Sequence, residues 1–148
     1  MELKEEILLR YRQLVQDKID VFRDMISGLA DDAQNDAKGS AGDKHETALS
    51  MMHLEQEKLT QKLRENLDMK AVLDKLEPHP TTKIALGSLV KANNTYLYLC
   101  AALPKITVDG KSIIALSPQS PLGQQLLGQS PGFCFQIMGT EYVVEAVS

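Results

Sequence analysis

The residues in this chain best suited to chemistry are carboxylates: Asp43 and Glu46, three positions apart, with Asp31, Asp32 and Asp36 shortly before them. On a helix, side chains at i and i+3 lie on one face, so Asp43 and Glu46 can share a divalent cation. Alone they make a poor Mg²⁺ site, because that ion keeps its waters and needs further oxygens. At the exposed end of a long element, they could instead deliver ligands to a metal in another molecule's site. The same residues have a structural reading. Asp43 or Ser40 can cap a helix, Glu46 stands three places after Asp43 as in a capping box, and first-turn carboxylates suit the macrodipole. Spacing alone leaves both readings open.

Other constellations are incomplete. His45-Glu46 begins the helix pattern of zinc proteases, but Leu49 stands where the second His is needed. His45, His53 and His79 share no helical face, and no serine or cysteine stands in a recognisable nucleophile–His–acid motif. Glycine is scattered, with no phosphate-cradling loop. Tyr96 and Tyr98 alternate with Leu97 and Leu99, which could stack bases, but without basic neighbours a half-buried sheet face is the better reading. Cys100 and Cys134, both in apolar runs, read as buried free thiols rather than a disulfide framework. No complete active site is expected.

The elements that must position these residues divide at the middle of the chain. Residues 1–77 hold 12 of the 16 basic and 17 of the 20 acidic side chains, and the remaining 71 residues hold seven charges. So charged a half cannot build a thick core and should be an extended helical pair. Leu8, Tyr11, Val15, Ile19, Phe22, Ile26 and Leu29 form a stripe at steps of three and four, predicting a helix from about Leu3 to Asp32, roughly 45 Å long. A second, less regular stripe runs through Leu49, Met52, Leu59, Leu63, Leu67 and Leu73, with Gln56, Asn66 and Lys70 at positions a heptad wants apolar. Asn35 to Gly42 is small and polar and reads as the turn between them, making an antiparallel hairpin with an acidic tip near residues 31–46.

Pro78 and Pro80 end the second helix and make 78–85 a short stiff linker. From 86 to 148, apolar runs at Leu86–Ala92, Thr95–Ala102, Ile106–Val108, Ser112–Leu116, Phe133–Met138 and Glu141–Val147 predict strands. Asn93-Asn94, Asp109-Gly110 and Gly139-Thr140 supply turns, and Ser120-Pro121 heads a short helix. This is an α+β arrangement: a helical hairpin followed by a small antiparallel β domain with one short helix. A net charge of −4 argues against non-specific nucleic-acid binding. The charged start is no secretory signal and no run is long and apolar enough to span a bilayer, so no membrane is expected and the cytoplasm is the expected place.

Two segments carry a resemblance. Gly42-Asp43-Lys44-His45-Glu46 and Ser120-Pro121-Leu122-Gly123-Gln124-Gln125-Leu126-Leu127-Gly128 make the chain look like the bacterial Gre transcript-cleavage factors, GreA and GreB. That family has a helical hairpin followed by an FKBP-like β domain. Its tip pattern is Gly-Asp-x-x-Glu-Asn-Ala-acid-Tyr, matched here at Asp43, Glu46 and Ala48, whereas Thr47, Leu49 and Ser50 replace Asn, the acid and Tyr.

The resemblance implies a transcription elongation factor that binds RNA polymerase through the β domain, at Ser120, Pro121, Leu122 and Gly123, and puts its hairpin into the secondary channel. Asp43 and Glu46 would then help hold Mg²⁺ beside the polymerase's own metal, assisting cleavage of backtracked RNA, with RNA met only inside that complex. The factor would stimulate the polymerase's reaction rather than be an enzyme, and would carry no cofactor when free. Two other readings stand beside it: a polymerase-binding regulator without cleavage, and a coiled-coil interaction or chaperone-like module unrelated to transcription.

Overall fold

The computed structural model describes residues 2–39 and 43–148, with the side chains of residues 32–48 outside the description. The expected hairpin forms from α1 (Leu3–Gly39) and α2 (Asp43–Lys75). α1 continues past the predicted end, to Gly39, because Asn35, Asp36, Ala37 and Lys38 do not themselves break a helix; the rest of the expected turn, residues 40–42, lies outside the described residues. Among the described residues no helix is long and apolar enough to cross a membrane.

The chain forms two compact units. One holds residues 13–71, and the other joins residues 1–12 to residues 72–148. In the first, the α1 stripe turns inward: Val15 and Ile19 are fully buried, then Phe22, Ile26 and Leu29 are half-buried. On α2, Leu59 and Asn66 are buried. Asn66 occupies the inward position that a heptad would fill with an apolar group, and its Nδ2 donates to Lys62 O one turn back at 2.9 Å. A buried amide satisfied within its own helix costs little, but contributes no packing to the neighbouring helix.

The second unit is built on six strands: β1 (Leu89–Ala92), β2 (Thr95–Leu99), β3 (Ile106–Val108), β4 (Lys111–Leu116), β5 (Cys134–Ile137) and β6 (Thr140–Val147), with α3 (Pro121–Leu126) between β4 and β5. Their order across the sheet is β3-β4-β2-β1-β6-β5. Four pairings are antiparallel, and β2 with β4 is parallel, with Thr95 opposite Ser112 and Leu99 opposite Leu116. The all-antiparallel expectation therefore fails at one pair. The tight Asp109-Gly110 turn, with φ of 52° and 75°, folds β4 back along β3, and β4 enters between β3 and β2. A strand so placed runs in the direction of β2.

One face of the sheet forms a core of Val90, Ala92, Leu97, Leu99, Leu116, Phe135 and Val144 with Ile84 and Leu126. Phe135 stacks between Phe133 and Tyr142 at 6.4 and 5.5 Å. Alternation puts Cys134 and Gln136 of the same strand on the outside, so Cys134 is exposed rather than buried as expected, whereas Cys100 is buried.

On the opposite face the register aligns Leu89, Tyr98 and Ala115 in one row. The ring of Tyr98 lies parallel to that of Tyr11 from α1, 6.4 Å away. Three side chains of the first turns of α1 reach main-chain carbonyls in this unit. Tyr11 Oη donates to Pro104 O at 2.9 Å, and Lys4 Nζ donates to His79 O at 2.6 Å. Arg12 donates to Leu73 O at 2.9 and 3.2 Å and to Leu76 O at 2.9 Å. Carbonyls at a helix C-terminus lack intrahelical donors, and a guanidinium supplies both hydrogen bonds and compensating charge there.

Tyr11 and Tyr98 are equally buried but differ in their hydroxyls, since Tyr98 Oη has no hydrogen-bond partner. Tyr11→Phe is therefore expected to cost about 0.5–1.5 kcal/mol, and Tyr98→Phe to be neutral or stabilising. Burial also raises the pKa of Tyr11, Tyr98 and Cys100, the last from 9.0 to about 11. The unfolded chain thus gives up these protons first, and stability should fall as pH rises from about 9 toward 11. Lys4, lowered by burial, acts in the opposite direction over the interval just below 10.5. Urea midpoints at neutral and alkaline pH measure the sum, and Tyr98→Phe should flatten the alkaline loss.

Candidate functional site

Two groups of residues carry the functional expectation, and they are built differently. The first is Asp43 and Glu46. α2 begins at Asp43, so both lie in its first turn. Their side chains fall outside the described residues, as do those of Asp32 and Asp36. Among the described residues no three His, Cys, Asp or Glu side chains converge on a position that could hold a metal. Leu49, one turn further along, is half-buried, and Ser50 is exposed.

The second group, Ser120 to Gly123, is described in full. Ser120 sits at extended dihedrals, φ −65° and ψ 157°, as the N-cap of α3, and its Oγ accepts from Gly123 N at 3.0 Å. The same hydroxyl donates to Ser117 O at 2.6 Å. Pro121 takes the first helical position, where its fixed φ fits and its missing N–H costs nothing. Gly123 is required by close approach: a Cβ there would meet Ser117 O at 2.1 Å. Leu126 is fully buried in the core, and half-buried Leu122 packs against it. Gly128 then reverses the chain at φ +81°, and its N–H donates to Ile84 O at 2.7 Å.

Most of this segment is thus explained by folding alone. Ser120 spends its hydroxyl on the cap and the Ser117 carbonyl, and Gly123 is buried. What remains exposed is Pro121, together with Gln119, Gln124, Gln125 and, at 39% exposure, Leu127. This is an uncharged ridge, where Gln124 Nε2 donates to Gln119 O at 3.2 Å. Of the four residues expected from the resemblance to meet a partner, Pro121 is exposed, Ser120 and Leu122 are half-buried and Gly123 is buried. The glutamines beside them occupy exposed positions next to a helix whose other positions are apolar.

No protein-family model matches this sequence, and no curated protein matches it. Among solved structures, the chain is similar to GreA factor homolog 1 (Gfh1) of Thermus thermophilus, at 19% identity over 93% of this chain and 94% of that one, with a TM-score of 0.37. It is also similar to a second structure, of the transcription factor Gfh1, at 18% identity over 92% of each chain, with a TM-score of 0.36.

The cap geometry gives a graded expectation. Ser120→Ala should cost about 0.5–2 kcal/mol, as for other N-cap serines. Gly123→Ala should cost more, because the Ser117 carbonyl must move. Pro121→Ala, at an exposed position, should leave the denaturation midpoint within about 0.5 kcal/mol. Chemical denaturation of the three variants checks the order.

Proposed function

We propose that this protein is a Gre-like factor that binds RNA polymerase through its β domain and presents the hairpin tip to the polymerase's secondary channel. The single observation that carries this reading is the Ser120–Gly128 segment. It resembles the Gre pattern, and it folds as a capped helix directly after β4, in a chain that opens with a helical hairpin. Pro121 and the neighbouring glutamines give that helix an exposed, uncharged ridge for a protein partner.

In this reading Asp43 and Glu46 enter a site that already holds metal and RNA. Side chains three residues apart in a helix's first turn can both reach one cation. Mg²⁺ held there with the polymerase's own ion would activate water and stabilise the leaving oxygen of a backtracked transcript. The free protein would bind the ion weakly, since two carboxylates leave most of its coordination to water.

A second reading, binding without cleavage, is favoured by one observation. Leu49 and Ser50 stand where the family pattern has an acid and a tyrosine, and Leu49 is half-buried.

A stalled, backtracked transcription complex separates the readings. Full-length protein should co-purify with polymerase at low salt and shorten the RNA. Asp43→Ala and Glu46→Ala should each abolish that shortening with binding unchanged, at a cost of no more than about 2 kcal/mol in helix stability. Binding with no shortening by the unmodified protein would select the regulator. Absence of binding would leave a coiled-coil module unrelated to transcription.

A further inference from the structure

We propose that a surface cavity bounded by Lys4, Tyr96 and Lys111 binds a small oxyanion, a carboxylate or a phosphate. The cavity has a volume of about 290 Å³, and Pro78, Leu89 and Glu2 also line it. It lies wholly within the unit formed by residues 1–12 and 72–148 and shares no lining residue with the α3 ridge or with Asp43 and Glu46, so it stands independently of the polymerase reading.

Lys4 is the unusual residue. Only 6% of it is exposed, and its ammonium donates to a neutral carbonyl, His79 O, at 2.6 Å. An ammonium carries three N–H donors, and a carbonyl satisfies one of them without neutralising any charge. Burial accordingly favours loss of its proton. An anion in the adjoining cavity would supply both the missing acceptors and the missing charge.

Lys111 provides the second cation. Its Nζ lies 5.8 Å from the centroid of the Tyr96 ring, where the negative face of the ring steadies an ammonium beside the cavity. Lys91 pairs directly with Tyr96 across the β1–β2 ladder, adding positive charge to the same row. The acidic side chain among the lining residues is Glu2, which is exposed. Ser148, also at the cavity, has its carbonyl oxygen engaged by Leu89 N at 3.0 Å and Thr81 Oγ1 at 3.2 Å. Among the lining side chains, two ammoniums thus meet one solvated carboxylate. Leu89 and Pro78 form apolar walls that strengthen a charge-assisted hydrogen bond by keeping water back.

The test uses the full-length chain with inorganic phosphate, acetate and sodium chloride at matched ionic strength, read by thermal unfolding. Phosphate, acetate or both should raise Tm by about 3 °C or more above chloride once well past half-saturation. Which of the two does so identifies the anion. Lys111→Met, at an exposed position, should unfold normally in chloride yet bind about tenfold more weakly. Lys83→Met, exposed and outside the cavity, should respond as the unmodified protein does. Equal stabilisation by chloride, or an unchanged response in Lys111→Met, overturns the proposal.

Discussion

A sheet that is apolar on both faces must be covered twice, and this requirement organises the second unit. α3 and the Ile84 segment cover one face, where Leu97, Leu99, Phe135 and Val144 gather. The other presents Leu89, Tyr98 and Ala115, and Tyr11 of α1 stacks on its central ring. Burying a ring of that size removes a large apolar area from water, at a scale of about 25 cal/mol per Å². The carbonyl contacts of Lys4, Tyr11 and Arg12 then add direction to an attraction that has none of its own.

Much of this was legible in the residues, for reasons that differ by element. Helix α1 could be read because its stripe keeps a 3.6-residue period over many turns, with burial following the stripe from Val15 to Leu29. Strand positions could be read because turn chemistry punctuates them, as Asp109-Gly110 does between β3 and β4. The parallel β2–β4 pair could not. Alternation tells which face a residue takes but not which strand will lie beside it, and that choice is made by non-local pairing. Cys134 departs from expectation for a related reason: an apolar run of strand length has two sides, and Phe133, Phe135 and Ile137 take the inner one while Cys134 faces out.

The candidate site was legible in part. The Ser-Pro-Leu-Gly segment announces a capped helix through ordinary rules, and its geometry obeys them to the hydrogen bond. The fold alone accounts for most of such a motif, so its presence does not say which atoms would meet a partner. The Lys4 cavity was not legible at all. Lys4, Tyr96 and Lys111 are far apart in sequence, and nothing about a lysine near the start of a charged helix announces that it will be buried.

The compact unit that contains the sheet is discontinuous: it opens with residues 1–12, is interrupted, and resumes at residue 72. In architectural terms the rest of the hairpin is a guest inserted into a host, entering after Arg12 and leaving before Val72, with Arg12 bonded to the carbonyl of Leu73 across the junction. During synthesis Tyr11 leaves the ribosome long before Tyr98 exists, so α1 cannot close on the sheet until the guest and the first two strands have been made. The same arrangement frees the guest's length. Whole helical turns added or removed in matched pairs would leave the stitched junction and the sheet unchanged.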